Sequence, residues 1–235
     1  MIGLFLTGTN TGVGKTYVGA MIARTLTSAG HRVGVYKPVE SGCPRDGDRL
    51  SATDAEELWA AAGQPGELQH VCPQRFEAPL APPQAAALEG KAVDSRLLRS
   101  GLDYWRERSD IVLVEGAGGL MSPLSNDIHG KGDYNIGLAR DLGLPLVVVA
   151  VNELGTINAT LQTLITARTL AADLPIAGVV LNQSQAHSDD QSTSSNASEL
   201  TARMEVPLLA TVELGQRTFA TSIDWLALAT RGSAR

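Results

Sequence analysis

Apolar residues occur along the chain in short runs that alternate with stretches of helical periodicity. Six runs are uniformly apolar and rich in β-branched residues, as is typical of strands buried on both faces. They cover residues 2–6, 33–36, 111–114, 146–151, 177–181 and, less clearly, 208–212. Apolar side chains at helical spacing predict a helix over residues 16–29, which Gly30 ends. This alternation predicts an α/β fold, with a mostly parallel central sheet and helices on both faces.

The remaining segments add helices and loops to this plan. Further helical stretches are predicted at residues 54–62 and 95–106, and a proline-rich loop at residues 79–83. Residues 184–198 are rich in Ser, Asp, Gln and Asn, which predicts a mobile surface loop. Residues 230–235 are expected to form a frayed tail. Since no linker separates these parts, we predict a single domain over residues 1–235.

The clearest chemical signal is Gly-Thr-Asn-Thr-Gly-Val-Gly-Lys-Thr at residues 8–16, between a predicted strand and a predicted helix. Glycines allow backbone N–H groups to turn towards phosphate oxygens, and the helix N-terminus adds partial positive charge. Lys15 would reach the β- and γ-phosphates, Thr16 would hold Mg²⁺, and the Tyr17 N–H would lie by the α-phosphate. A glycine-rich turn with a chance Gly-Lys-Thr is the disfavoured alternative. The sequence predicts a P-loop NTPase fold that binds a nucleoside triphosphate.

A carboxylate for the metal is expected at the end of another strand. Glu115 follows the third predicted strand, and the glycine-rich residues 116–119 leave space beside the γ-phosphate. A single glutamate after a strand is usually only solvated. Near a phosphate loop, it is better interpreted as a Mg²⁺ ligand.

Composition narrows the class of partner. The 235 residues are 43% hydrophobic and 19% charged, and 25 acidic against 19 basic residues give a net charge of −6. This charge and the 4% aromatic content disfavour nucleic acid as a partner. The longest apolar run, residues 142–151, is too short to span a bilayer, and the first residues lack the basic start of a signal peptide. Cys43 and Cys72 lack metal-ligand spacing. We therefore expect a cytoplasmic protein with no nucleic-acid or membrane partner.

Four motifs, in this order, resemble the dethiobiotin synthetase family. They are the phosphate loop, Lys-Pro-Val-Glu-Ser-Gly at 37–42, Thr-Asp-Ala at 53–55 and Val-Glu-Gly-Ala-Gly-Gly at 114–119. The long loop form, with five residues between Gly8 and Gly14, is characteristic of that family, and the resemblance extends to about Asn182. It implies a cyclo-ligase of biotin biosynthesis that forms carbon–nitrogen bonds. Such an enzyme joins CO₂ to 7,8-diaminopelargonic acid with MgATP, through a carbamate and a carbamic-phosphoric anhydride, and releases dethiobiotin, ADP and phosphate.

The resemblance also implies roles for individual residues. Lys15 and Lys37 would be catalytic, since phosphoryl transfer to a carbamate brings two anions together. Asp54 would hold Mg²⁺ together with Thr16 and Glu115, although an aspartate at a helix start is also a common cap. The implied ATP-binding residues are Gly12, Val13, Gly14, Lys15, Thr16, Tyr17, Asp54, Glu115, Gly116, Ala117, Gly118, Asn182 and Gln183.

The implied substrate-binding residues come from two subunits. They are Thr11, Ser41 and Gly118 and, on the partner subunit, Gly155, Thr156, Ile157 and Asn158. In the family this last segment receives the substrate's carboxylate, which implies a homodimer; a capped helix start without a ligand is the alternative. The sequence departs from the family at Pro83, Ala159 and Gln183, where histidine, histidine and aspartate are common. These departures touch the carboxylate end and the base pocket, and leave the phosphate and metal positions intact.

Two other functions stay open at this point. A regulatory ATPase switch of the partitioning or septum-site type shares this kind of loop, but it carries a lysine at the position of Asn10. The ATP-binding portion of a cobalamin-pathway amide synthase is the second alternative. It would need a glutamine-hydrolysing domain, which we do not expect within 235 residues.

Overall fold

A parallel sheet forms the centre of the computed structural model, which describes residues 1–126, 133–185 and 190–230. The strands are β1 (Gly3–Gly8), β2 (Val33–Tyr36), β3 (Glu40–Ser41), β4 (Arg45–Asp46), β5 (Arg49–Leu50), β6 (Arg75–Phe76), β7 (Ile111–Gly119), β8 (Leu146–Val151), β9 (Ile176–Asn182) and β10 (Leu208–Val212). Six of them pair in the order β10-β9-β8-β1-β7-β2, with every pairing parallel. Strands β3 and β6, and separately β4 and β5, form small two-stranded sheets.

Helices connect and cover these strands. The α-helices are α1 (Lys15–Ser28), α2 (Thr53–Ala61), α3 (Leu68–Val71), α4 (Pro82–Leu88), α5 (Leu97–Ser100), α6 (Asn135–Leu142), α7 (Thr156–Leu170), α8 (Asn196–Arg203) and α9 (Trp225–Thr230). Short 3₁₀ helices cover Gly101–Trp105 and Gln191–Ser194. Within the described ranges, none of the helices has the length and apolarity that crossing a bilayer requires.

The central strands are buried on both faces, because each carries apolar side chains at consecutive positions. Every residue of β1 is buried, as are the first five of β8. Helix α1 packs on β1, β2 and β7, and α7 packs on β8. The prediction of an α/β fold with a mostly parallel sheet is confirmed. The strands predicted at residues 33–36, 146–151 and 208–212 have the observed bounds.

Two predicted elements differ from the observed ones near Tyr36. The helix predicted over residues 95–106 is divided into α5 and a 3₁₀ helix that begins at Gly101. The Tyr36 hydroxyl donates to the carbonyl of Leu97 at 2.7 Å, close to the point where α5 gives way to the 3₁₀ helix. The proline-rich loop predicted at residues 79–83 ends earlier than expected. Helix α4 begins at Pro82, since proline suits the first turn of a helix.

The prediction of a loop over residues 184–198 is wrong for the second half of that range. Residues 191–194 form a 3₁₀ helix and α8 begins at Asn196. Asn196 is buried and donates to Asn152 Oδ1 at 2.9 Å, so polar side chains here bond to one another instead of to solvent. Residues 186–189 and 231–235, and with them most of the predicted tail, lie outside the described residues.

We expect the sheet interior to carry the stability of the fold. Leu4 in β1 is fully buried, so Leu4→Ala should lower the free energy of unfolding by about 2–5 kcal/mol. Leu88 is 71% exposed, and Leu88→Ala makes the same chemical change with an expected effect below about 0.5 kcal/mol. Urea unfolding followed by circular dichroism measures both values. Equal losses from the two variants would contradict the assigned core.

Candidate active site

Three chain segments meet at the carboxyl ends of neighbouring strands. The phosphate loop, residues 8–16, connects β1 to α1, and Lys37 follows β2. Glu115 lies within β7, which continues to Gly119 instead of ending before Glu115 as predicted. Strand β7 pairs with both β1 and β2, and all three run parallel, so these segments share one edge of the sheet. Residues that are distant in sequence are thereby brought into one crevice.

The phosphate loop is shaped by a tight contact at Gly14. This residue precedes α1 with a φ of 86°, in the left-handed region that favours glycine. A Cβ atom at Gly14 would lie 2.1 Å from Asn182 Nδ2. Lys15 follows with only 7% exposure, and its Nζ lies 3.5 Å from the Asn10 carbonyl oxygen. Burial lowers the pKa of Lys15, and the nearby Lys37 lowers it further against the opposing effect of Glu115.

The centre of the site is a buried ammonium group between two carboxylates. Lys37 is 2% exposed, and its Nζ donates to Glu115 Oε1 at 2.5 Å and to Asp54 Oδ2 at 2.8 Å. Burial alone would lower the pKa of Lys37. Attraction to the carboxylates of Glu115 and Asp54 outweighs burial and raises that pKa above its usual range. Lys37 is therefore held in its charged form.

Oxygen atoms converge beside this ammonium group. The Thr16 hydroxyl donates to Glu115 Oε1 at 2.9 Å, and the carboxylates of Glu115 and Asp54 both accept from Lys37 Nζ. Within the described part of the chain, the buried Glu115 Oε2 has no hydrogen-bond partner. A hydroxyl and two carboxylates form the hard-oxygen donor set that Mg²⁺ prefers, so the residues present fit this ion. The described residues contain no cluster of three or more His, Cys, Asp or Glu that could hold a metal unaided. The remaining ligands would have to come from phosphate oxygens and water.

A glutamate with no role in the sequence analysis also belongs to the site. Glu40 is 4% exposed, and its two carboxylate oxygens accept hydrogen bonds from Asp54 N and Ala55 N, each at 3.0 Å. Burial raises the pKa of Glu40 to about 7, against the opposing effect of Lys37. Two signals could have revealed this role: a charged residue beside apolar Val39, and Ala52 in place of a capping residue before α2.

A cavity of about 660 Å³ opens from this cluster. Three predicted substrate-binding residues line it: Thr11, Ser41 and Gly118. The proline-rich segment at residues 79–82 also lines it. Ser41 Oγ donates to the Leu80 carbonyl at 2.6 Å, which ties this proline-rich segment to the segment that follows Lys37. The cavity thus adjoins the phosphate loop, Lys37 and Asp54 together.

The predicted base-binding residues lie at the end of β9. Asn182 is 2% exposed, and its Nδ2 donates to the Val13 carbonyl at 3.0 Å, so it fastens the phosphate loop to the sheet. Gln183 is half-buried, and its N–H donates to the Val212 carbonyl at 2.8 Å. The Tyr17 hydroxyl donates to the Gln216 carbonyl, which holds the segment after β10 against α1. The sequence analysis did not predict the contact between Asn182 and the loop.

The predicted carboxylate-binding segment is separate from this cavity in the single chain. Gly155, Thr156, Ile157 and Asn158 form the start of α7 and are not among the residues that line the cavity. Thr156 is buried and Asn158 is exposed, while the preceding Leu154 is 80% exposed.

The fold and the site together define a P-loop nucleotide-binding protein. The chain matches the family model described as an AAA domain over residues 2–218. Among solved structures, a ParA family ATPase from Chlorobium tepidum has 14% identity and a TM-score of 0.53, covering 92% of this chain and 85% of its own. The MinC:MinD cell division complex of Aquifex aeolicus has 10% identity and a TM-score of 0.52, covering 99% and 86%. These likenesses confirm the P-loop fold alone.

Sequence relatives specify the family. The ATP-dependent dethiobiotin synthetase BioD of Rhodopirellula baltica is 44% identical over 220 residues, which cover 88% of this chain and 82% of that protein. Proteins of the same name from Phenylobacterium zucineum and Anaeromyxobacter dehalogenans are 42% and 41% identical. They cover 77% and 85% of this chain, and 75% and 84% of their own lengths. The chain belongs to the ATP-dependent dethiobiotin synthetase family, as its motifs predict.

The close approach of Asn182 to Gly14 can be tested by adding a side chain at Gly14. In Gly14→Ala the new methyl group would displace Asn182 and force a left-handed backbone on alanine. We expect the Kd for ATP to rise at least about tenfold, measured by isothermal titration calorimetry.

The matched control is Gly137→Ala in α6, where a Cβ would meet no atom within 4 Å. This variant should bind ATP as the wild type does and gain up to about 1 kcal/mol in stability. Unchanged ATP affinity in Gly14→Ala would contradict the tight packing of the loop against Asn182.

Proposed function

We propose that this protein is a dethiobiotin synthetase, a ligase that closes the ring of 7,8-diaminopelargonic acid with CO₂ and ATP. One observation carries the proposal. A charged, buried Lys37 adjoins both the phosphate loop and a cavity of small-molecule size. A second cation beside the phosphate-loop lysine suits a reaction in which the acceptor of the γ-phosphate is itself an anion. The family relationship supports the same assignment.

The chemistry follows from these positions. One amine of the diamine takes up CO₂ as a carbamate, whose oxygen attacks the γ-phosphorus while the bond to the ADP oxygen breaks. The second amine then attacks the carbonyl carbon, and inorganic phosphate leaves with the carbamate oxygen. Lys15 and Lys37 would stabilise the negative charge that gathers between carbamate and phosphate. Thr11, Ser41 and Gly118 would bind the diamine in the cavity.

Mg²⁺ completes the proposed site. Thr16, Asp54 and Glu115 would hold it, and it would supply positive charge to the β- and γ-phosphate oxygens. The charge balance of the site supports a requirement for this cation. Among the described residues of this cluster, the charges of Asp54 and Glu115 already offset those of Lys15 and Lys37, which leaves no surplus positive charge for a triphosphate and a carbamate.

The remaining nucleotide contacts are also proposals. Backbone groups of the phosphate loop would bind the phosphates, and residues 116–118 would lie beside the γ-phosphate. Asn182 and Gln183, at the end of β9, would lie at the base. Since the Asn182 amide already donates to Val13, its remaining oxygen is the atom that would accept from a base amino group.

A homodimer is the last part of the proposal. The start of α7 on one subunit, residues 155–158, would bind the carboxylate of the substrate held by the other subunit, at the helix N-terminus. Leu154 next to this segment and Ile165 on α7 are 80% and 63% exposed, and this pair of exposed apolar side chains supports an interface there. A cytoplasmic location stays a prediction from the sequence.

Product formation tests the function directly. Purified protein is incubated with diaminopelargonic acid, bicarbonate and MgATP, and dethiobiotin is detected by mass spectrometry while ADP release is followed. We expect dethiobiotin together with ADP release that depends on the diamine. If ATP is hydrolysed slowly at a rate that the diamine does not change, and no dethiobiotin forms, the result would instead favour the regulatory switch.

The role of Lys37 is tested by Lys37→Met, which keeps the side-chain volume and removes the charge. We expect a variant that is less stable than the wild type, because Glu115 loses its buried partner, and that forms no detectable dethiobiotin even where it is folded, because the carbamate and the γ-phosphate would repel each other. Circular dichroism verifies the fold. The control is Lys91→Met, since Lys91 is an exposed lysine that pairs with Glu89 at the surface. Normal product formation by Lys37→Met would remove Lys37 from the mechanism.

A mixing experiment tests whether the site is shared between subunits. Lys37→Met removes the cation beside the phosphate loop. Asn158→Asp places a negative charge where the substrate's carboxylate would bind, so each variant alone should be inactive. If each active site combines residues of both subunits, a heterodimer of the two variants contains one intact site. Subunit exchange should then restore activity that neither variant has alone. Continued inactivity of mixtures shown to contain heterodimers would contradict a shared site.

A further inference from the structure

Helix α2 carries Asp54 in its first turn, yet it has no cap of its own. The residue before the helix is Ala52, which offers no side-chain acceptor. The first N–H groups of a helix have no partner inside it and need an acceptor from elsewhere. A carboxylate is well suited, because the helix N-terminus carries partial positive charge.

Glu40 supplies that acceptor from another part of the chain. Its Oε1 accepts from Asp54 N and its Oε2 from Ala55 N, both at 3.0 Å, so one carboxylate holds two consecutive N–H groups. Glu40 is 4% exposed and lies three residues after Lys37 on the same short segment. The segment that positions Lys37 is therefore fastened to the helix that positions Asp54.

Asp54 depends on this support more than its neighbours do. Its side chain is 47% exposed, whereas the Glu115 side chain is 1% exposed and fixed in the sheet. Its carboxylate contacts Lys37 Nζ at 2.8 Å, and because Asp54 lies in the first turn of α2, this contact depends on how the start of that helix is held. Groups that orient a metal ligand typically change metal affinity or activity 10- to 100-fold when they are removed.

We propose that Glu40 is a positioning residue, which caps α2 from outside the helix and thereby fixes the Asp54 carboxylate for the MgATP complex. This inference rests on the proposed function, because it assumes that Asp54 serves the metal. Glu40 also lines the cavity near Lys37, but both of its carboxylate oxygens are engaged by Asp54 N and Ala55 N, so in this proposal it acts through Asp54 and does not bind the metal or the substrate.

The test is a double-mutant cycle on nucleotide binding with Glu40→Ala, Asp54→Asn and the double variant. Isothermal titration calorimetry gives the Kd of each for MgATP and for ATP with EDTA. We expect Glu40→Ala to raise the Kd for MgATP about tenfold or more and to leave the Kd for metal-free ATP unchanged. The double variant should bind MgATP no more weakly than Asp54→Asn alone. Glu40→Gln, which keeps one carbonyl acceptor, should be intermediate.

A second readout needs no metal or nucleotide. Hydrogen exchange in the metal-free protein should become faster at the amides of Asp54 and Ala55 in Glu40→Ala, with the core strands unchanged. The control is Glu89→Ala, which removes another glutamate that accepts a backbone N–H, that of Glu77 at 2.8 Å. That variant should leave both MgATP binding and α2 exchange at wild-type values.

Several results would overturn the proposal. If the fold-losses in MgATP affinity of the two single variants multiply in the double variant, Glu40 acts independently of Asp54. If Glu40→Ala weakens ATP binding equally with and without Mg²⁺, the variant has damaged the site in general. If Asp54→Asn weakens MgATP binding and Glu40→Ala does not, the proposal for Glu40 fails while the metal assignment stands. If Asp54→Asn itself leaves MgATP binding unchanged, the metal assignment fails, and the proposal fails with it.

Discussion

The ion pair between Lys37 and Glu115 is the interaction on which the site depends. Both side chains are almost completely buried, and a lone charge at either position would carry a large desolvation cost. Their 2.5 Å contact offsets that cost, and the partly exposed Asp54 adds a second carboxylate on the open side. The pair therefore joins the end of β2 to β7 and keeps the Lys37 side chain in its ammonium form beside the phosphate loop, with that charge balanced by the carboxylates.

The parallel sheet makes this arrangement possible. Since β7 lies between β1 and β2, the backbone alone places the phosphate loop, Lys37 and Glu115 at the same edge of the sheet. Contacts beyond the sheet then fix the parts that the sheet does not hold. Asn182 fastens the loop at Val13, and Glu40 fastens the start of α2. The crevice is thus built from rigid elements, as a site that must hold two anions together requires.

The sequence contains enough local information for the fold and for the centre of the site. Buried strands, a glycine-rich loop and a lysine in its family motif are local patterns, and the structure brings Lys15, Thr16, Lys37, Asp54 and Glu115 together. Contacts between distant segments leave no such pattern. Asn182 and Val13 are 169 residues apart, and Glu40 caps a helix 14 residues further on. The helices at residues 191–203 were missed for a related reason: their polar composition suggests solvent, whereas Asn196 is buried against Asn152.

The central claim is that this crevice transfers the γ-phosphate to an oxygen derived from CO₂. Supplying ¹⁸O-labelled CO₂ with diamine and MgATP, over short reaction times, tests it through the isotopic content of the inorganic phosphate. Mass spectrometry should find phosphate that carries an ¹⁸O atom from CO₂, because the carbamate oxygen leaves with the phosphoryl group when the ring closes. Phosphate that takes its new oxygen only from unlabelled water would contradict the account, since water would then be the acceptor.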